Sequence, residues 1–164
     1  MTTNSGRTLV RDLPIAEVMR RPVVTVDEHC SAGLALRELL ICGIRHLVVV
    51  DSSGRGVGML ADRMLAACWA ERPGALDSTD VVALISDRQP FVSADSSISS
   101  AVGVMRDCGL DAVAVLNTAG LPIGVLTTTD LMALIAEPAF AQTPTEDAPA
   151  AGGGETDGPD PERN

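Results

Sequence analysis

In one short stretch of this 164-residue chain, a hydroxyl and a carboxylate stand one helical turn apart. It reads Gly124-Val125-Leu126-Thr127-Thr128-Thr129-Asp130, an apolar run that gives way to three threonines and an acid. Such a run predicts a strand turning into a helix start. Thr127 and Asp130 then face the same way, and two chemistries fit. The first is local: Thr127 as N-cap with Asp130 three positions on approximates a capping box, which satisfies the unpaired amides of the first turn. The second uses the carboxylate to accept hydrogen bonds from the vicinal hydroxyls of a ribose, as an acidic residue does in dinucleotide-binding folds. The nearby helix amides would favour a phosphate.

The basic pair Arg45-His46, directly ahead of the apolar run Leu47–Val50, is the other concentrated polar feature. His46 can serve simply to satisfy backbone groups, whereas the planar fork of an arginine suits a phosphate. Elsewhere the spacing is uninformative. Cys30, Cys42, Cys68 and Cys108 form no C-x-x-C pair, and His29 and His46 are the only histidines, so no metal-ligand signature exists. No nucleophile-elbow pattern supports a Ser-His-Asp set. The expectation is a non-enzymatic protein without a metal or catalytic cofactor.

An internal repeat must position these groups. Cys42-Gly43-Ile44 recurs as Cys108-Gly109-Leu110, sixty-six positions on. Leu47-Val48-Val49-Val50-Asp51 matches Val113-Ala114-Val115-Leu116-Asn117, and Gly58-Met59-Leu60 matches Gly124-Val125-Leu126, at the same offset. Upstream, Pro22-Val23-Val24-Thr25-Val26-Asp27 aligns with Pro90-Phe91-Val92-Ser93-Ala94-Asp95 at an offset of sixty-eight, which puts a two-residue difference in Glu28-His29-Cys30.

Each unit reads strand, helix, strand, strand, helix. The first predicts Val23–Val26, Ser31–Cys42, His46–Val50, Val57–Leu60 and Asp62–Ala70. Gly43 ends its first helix, and Asp51-Ser52-Ser53-Gly54 is a hairpin-type loop. The second predicts Phe91–Ser93, Ser97–Cys108, Ala112–Leu116, Ile123–Leu126 and Thr128–Ala136, with short helices ahead of each unit near Ile15–Met19 and Val81–Ile85. A unit of about 60 residues buries too little surface to stand comfortably alone. The expected fold is therefore α/β, with two β-α-β-β-α repeats at residues 13–72 and 73–136 packed as one pseudo-twofold module. Residues 1–12 are expected to be a flexible N-terminus.

Composition narrows the partners. The chain carries 22 acidic and 12 basic residues, and the basic residues are all arginines. The segment 137–164 holds seven acids and one arginine among five prolines and four glycines, a composition that predicts a disordered acidic tail. What remains is close to balanced and slightly acidic, which argues against nucleic acid and against an anionic membrane surface. The longest uncharged run, Ala112–Thr129, is broken by Asn117, Gly120, Pro122 and Gly124 and does not read as a transmembrane helix. Unpaired cysteines and the absence of a signal-peptide pattern point to the cytoplasm.

The duplicated strand and helix order, closed by G-h-x-T-x-x-D in the second unit, resembles a pair of CBS domains, named after cystathionine beta-synthase. The resemblance covers about Leu13 to Ala136 and is carried further by Val18-Met19-Arg20-Arg21-Pro22-Val23-Val24-Thr25-Val26 and by Gly43-Ile44-Arg45-His46-Leu47-Val48-Val49-Val50-Asp51. It implies a module with two clefts that commonly bind adenosine derivatives, and modules that often pair into flat discs. Thr127 and Asp130 match its ribose and phosphate positions, and Phe91-Val92-Ser93 would supply backbone and apolar contacts to the adenine. Arg45 or His46 would cross over to the phosphate, since the second unit has Asp111 and Ala112 there. The first unit departs from the pattern, with Ala61 for the hydroxyl and Met64 for the carboxylate. Asp62 is then expected to cap the helix, and Thr25 remains as an adenine-side contact in that cleft. The function implied is a sensor of AMP, ADP or ATP, ahead of S-adenosylmethionine and NAD, acting through a homodimer or an effector protein of unknown identity. A ligand-free dimerisation or scaffold module is the alternative.

Overall fold

The computed structural model describes residues 9–136; the acidic segment 137–164 and its expected disorder lie outside the described residues. Two three-stranded sheets form the centre. In the first, β1 (Thr25–Asp27) pairs parallel with β2 (His46–Val50), which pairs antiparallel with β3 (Gly56–Ala61). In the second, β4 (Phe91–Ser93), β5 (Ala112–Leu116) and β6 (Pro122–Thr127) repeat that order. Helices α1 (Ala32–Cys42), α2 (Asp62–Glu71), α3 (Ile98–Cys108) and α4 (Thr128–Ala136) complete the two repeats.

Local chemistry explains the boundaries. The Ser31 and Ser97 hydroxyls accept from the amides of Leu34 and Ser100 at the starts of α1 and α3, which are N-caps. Gly43 and Gly109 end the same helices at φ 64° and 62°, a left-handed conformation that glycine adopts without steric cost. Asp51 Oδ1 accepts from the amides of Ser53 and Arg55, and Asn117 Oδ1 from those of Ala119 and Leu121; these side-chain turns shape the two hairpins.

The offset between repeats is sixty-six throughout. Thr25 pairs with Val48 as Phe91 pairs with Ala114, and the caps Ser31 and Ser97 keep the same separation. The two-residue difference inferred at Glu28-His29-Cys30 is therefore absent. Pro90 corresponds to Val24 rather than to Pro22, and the first strand is Thr25–Asp27 rather than Val23–Val26. Residues 9–12, expected to be loose, contain a 3-10 turn at Val10–Asp12 that corresponds to Leu76–Ser78 ahead of the second repeat.

The leading segments are exchanged between the repeats. Ile15 N donates to Ser96 O and Ile98 N to Leu13 O, while Val81 N donates to Cys30 O and Ala32 N to Thr79 O. Ile15 is thereby buried with Ala101, Met105, Val113, Val115 and Leu126, and Val81 with Leu39, Leu47, Val49, Leu60 and Leu65. A third apolar cluster, including Val48, Met59, Leu110 and Ala114, joins the two sheets. Past Ile15 the arm runs along β6, where the Arg20 and Val125 amides and carbonyls exchange hydrogen bonds of 2.8 and 3.1 Å. Gly124 permits that approach, because a Cβ there would overlap Met19 Sδ.

Candidate functional site

That crossing arm closes a cavity of about 350 Å³ between the repeats. From the first repeat come the arm residues Arg20–Pro22 and Val24, together with the turn Gly43–His46 that joins α1 to β2. From the second come Asp111 at the head of β5, Val125 and Thr127 on β6, and Thr129 in the first turn of α4. Pro22, Val24, Ile44 and Val125 give it apolar walls. The volume falls within the range of small-molecule sites, and the mixture of apolar walls with a few polar groups is characteristic of them.

Thr127 reaches this cavity; Asp130 faces away from it. The Asp130 Oδ2 atom accepts from the Thr127 amide at 2.9 Å and from the Thr127 hydroxyl at 2.7 Å, and the Asp130 amide donates back to Thr127 Oγ1 at 3.3 Å. Its other oxygen is paired with Arg20 Nε. The carboxylate is 7% exposed and borders a separate groove with Leu13, Val18 and Leu134. A carboxylate open to ribose hydroxyls is thus corrected to a reciprocal helix cap with an arginine on its free side. Both oxygens are engaged, Oδ2 by the cap at the start of α4 and Oδ1 by Arg20.

Arg45 and His46 do converge on the cavity with Thr127, as a crossing from the first repeat to the second requires. Neither is unpartnered. An ionised carboxylate only accepts, so His46 Nε2 donates to Asp111 Oδ1 at 2.7 Å. Arg45 Nε donates to Asp62 Oδ2 at 3.1 Å, and its Nη1 lies 3.6 Å from Asp111 Oδ2. Partial burial pushes the Asp111 carboxyl up. The His46 charge and hydrogen bond, a backbone bond and the Arg45 charge outweigh it, leaving the carboxyl below its ordinary value. The Asp62 hydrogen bond, then the Asp62 and Asp111 charges, move Arg45 above its own.

Four expected contacts fall elsewhere. Phe91 packs into the layer between the sheets beside Val48 and Met59, and Val92 packs onto the second core. The Ser93 hydroxyl donates to Asp95 Oδ1 at 2.5 Å, and Thr25 is exposed on β1. The wall assigned to Phe91-Val92-Ser93 is instead provided by Pro22 and Val24 of the other repeat, because the arms are exchanged. Asp62 is not a side-chain cap: it is the first residue of α2, and it accepts from the Arg63 amide and from Arg45.

The twin cleft is built differently. At the positions of Thr127, Thr129 and Asp130 stand Ala61, Arg63 and Met64. Ala61 and Met64 are packed between the sheets, and Arg63 Nη2 donates to the carbonyl of Gly109, the counterpart of the Gly43 that lines the first cavity. The sequence carries no sign that Arg20, Arg21, Pro22, Val24, Gly43, Ile44, Asp111, Val125 and Thr129 line the cavity. Most of them lie in the two segments that carry the family resemblance, and Thr129 lies inside the Thr127–Asp130 motif. Which repeat's arm faces which helix start is a long-range fact.

Comparison with known proteins agrees with this architecture. The family model described as the CBS domain matches residues 15–70 and 78–137. A CBS domain protein of Pyrobaculum aerophilum solved in complex with AMP superposes with a TM-score of 0.67 at 24% identity, over 78% of this chain and 95% of that one. The CBS domain pair of the protein MJ0100, solved with 5′-methylthioadenosine and S-adenosyl-L-methionine, superposes with a TM-score of 0.67 at 19% identity, over 75% of this chain and 95% of that one. Among curated proteins, a homoserine O-acetyltransferase of Methanohalophilus mahii is 23% identical over 128 residues, which are 78% of this chain and 26% of that enzyme. The chain spans less than a third of the length of the curated relatives it matches.

Proposed function

The chain belongs to the CBS domain family, and on that premise we propose that it is a non-enzymatic regulatory module that senses an adenine nucleotide in the cleft between its repeats. The observation that carries this reading is the 350 Å³ cavity itself. Pro22, Val24, Ile44 and Val125 offer apolar surface for a base, and the polar residues Thr127, Thr129, Arg45 and His46 line the same cavity. Solved relatives carry AMP in one case and 5′-methylthioadenosine with S-adenosyl-L-methionine in another, and an adenine-bearing ribose is common to all three ligands. AMP, ADP and ATP head the candidates.

Within this reading Asp130 is a positioning residue. It fixes the Thr127 hydroxyl at the cavity wall and holds Arg20 beside it. A ligand shifts a conformational equilibrium only through unequal affinity for two states. In this reading the output passes through a homodimer or an effector protein. The unpaired cysteines fit a cytoplasmic setting.

A second reading, ligand-free dimerisation or scaffolding, is favoured by one observation. Leu40 and Ile41 on α1, Trp69 on α2, and Met132 and Ile135 on α4 are all largely exposed, apolar side chains that self-association would cover. Titration calorimetry with AMP, ADP, ATP, NAD and S-adenosylmethionine, combined with sedimentation in the presence and absence of ligand, separates the two. Saturable binding of an adenine nucleotide is expected. Self-association with no heat from any of the five leaves the scaffold reading standing.

A further inference from the structure

We propose that Arg21 is the phosphate-recognising residue of this cavity, so that the site takes a phosphate-bearing adenosine in preference to the neutral nucleoside or a cationic sulfonium. The inference rests on the adenine-nucleotide reading above and narrows it.

Four basic side chains line the cavity, and carboxylates already engage three of them. Arg20 is paired with Asp130, Arg45 with Asp62 and Asp111, and His46 with Asp111. A phosphate reaching any of these must compete with an existing partner. Arg21 also lines the cavity, and among the described residues it has no carboxylate within ion-pair distance. Among the described residues its one side-chain hydrogen bond is a weak 4.0 Å approach of Nη2 to Met19 Sδ. A guanidinium in that position keeps its donors for an anion, and its fork geometry matches phosphate oxygens.

The twin cleft is an internal control. Sixty-six positions on from Arg20, Arg21, Arg45 and His46 stand Ser86, Asp87, Asp111 and Ala112. The duplicated scaffold therefore tolerates neutral and acidic residues at all four places. The contrast is clearest in the arms: Arg20 and Arg21 line the cavity, while their counterparts Ser86 and Asp87 are neutral and acidic, and Asp111 lines the same cavity as Arg45 and His46. Packing alone does not call for that contrast.

The test compares AMP, adenosine and S-adenosylmethionine on wild type, Arg21→Gln and Arg21→Lys by titration calorimetry. Arg21 is exposed and belongs to no core cluster, and matching melting curves establish that the variants fold. Wild type is expected to bind AMP more tightly than adenosine and adenosine more tightly than S-adenosylmethionine. Arg21→Gln should weaken AMP about 10-fold or more, the usual size for a charge-assisted hydrogen bond, with adenosine unchanged, and Arg21→Lys should recover part of the loss. An AMP-to-adenosine ratio left unchanged by Arg21→Gln overturns the assignment while adenosine binding to wild type still stands. So does a ratio that collapses only in Arg45→Gln. If wild type binds neither adenosine nor AMP, the parent reading falls and this one with it.

Discussion

Ile15 and Val81, sixty-six residues apart, are each fully buried in the hydrophobic core of the other repeat. Each repeat therefore completes its partner, and neither core is whole alone. Ile15→Ala removes a buried side chain from the second core and should cost about 2–5 kcal/mol; Ile15→Val should cost about 0.5–1.5 kcal/mol. Because the exchange is mutual, unfolding should be a single transition. The fluorescence of Trp69 in the first repeat and the far-ultraviolet dichroism of the whole chain should give coincident curves in urea, for wild type and for Ile15→Val. Separate midpoints would contradict the exchange.

This exchange was not legible in the sequence, although the repeat that produces it was. Two short 3-10 turns carry no signal of which sheet they will meet. The register error at the first strand has a comparable origin. Side chains alternate along a strand with a period of two, so a slip of two residues returns every side chain to its own face. Pro22-Val23-Val24 and Pro90-Phe91-Val92 look equivalent for that reason, and hydrogen-bonded pairing with β2 and β5 is needed to separate them. At Thr127 and Asp130 the sequence offered two readings, a helix cap and a ribose contact, and the side chains form the cap. The family resemblance singled out Thr127, Arg45 and His46, which line the cavity, but not the arm residues Arg20, Arg21, Pro22 and Val24 that line it with them.

Asp130→Ala removes the reciprocal cap and the partner of Arg20 together. Loss of a cap costs about 1 kcal/mol, within about 0.5–2, and the exposure of Arg20 keeps the ion-pair contribution small. Asp130→Asn keeps an acceptor for Thr127 and should lose less. Thermal melts of the two variants are expected in the order wild type, Asn, Ala. Equal melting temperatures for all three would show that the cap bears no weight.

Acid should act through Asp111. Its carboxyl is held below the ordinary value when folded, so the unfolded chain binds that proton more readily than the native one. The resulting stability is complete above the unfolded value of about 3.9 and is lost as pH falls through the native value. Urea unfolding at a series of pH values below 5 should show wild type losing more stability than Asp111→Asn, which has no such proton to bind. Parallel losses in the two proteins would contradict the contribution of the His46 and Arg45 pairing.

Nucleotide stoichiometry follows from Arg63. Its guanidinium bonds to Gly109 O, the counterpart of Gly43 in the open cavity, and Ala61 offers no hydroxyl where that cavity has Thr127. AMP should saturate at one molecule per chain in calorimetry. Two equivalent sites per chain would mean that Arg63 yields readily and that the asymmetry between the clefts has no bearing on binding.

Where AMP sits is the most direct question, and amide chemical-shift mapping of the ¹⁵N-labelled chain answers it. With increasing AMP, the largest saturable shifts should fall on Arg21, Val24, Ile44, His46, Thr127 and Thr129, drawn from both repeats, while Ala61, Arg63 and Gly109 stay near their starting positions. Shifts centred on the twin cleft, or none at millimolar AMP, would contradict nucleotide sensing in the cavity beneath the crossing arm.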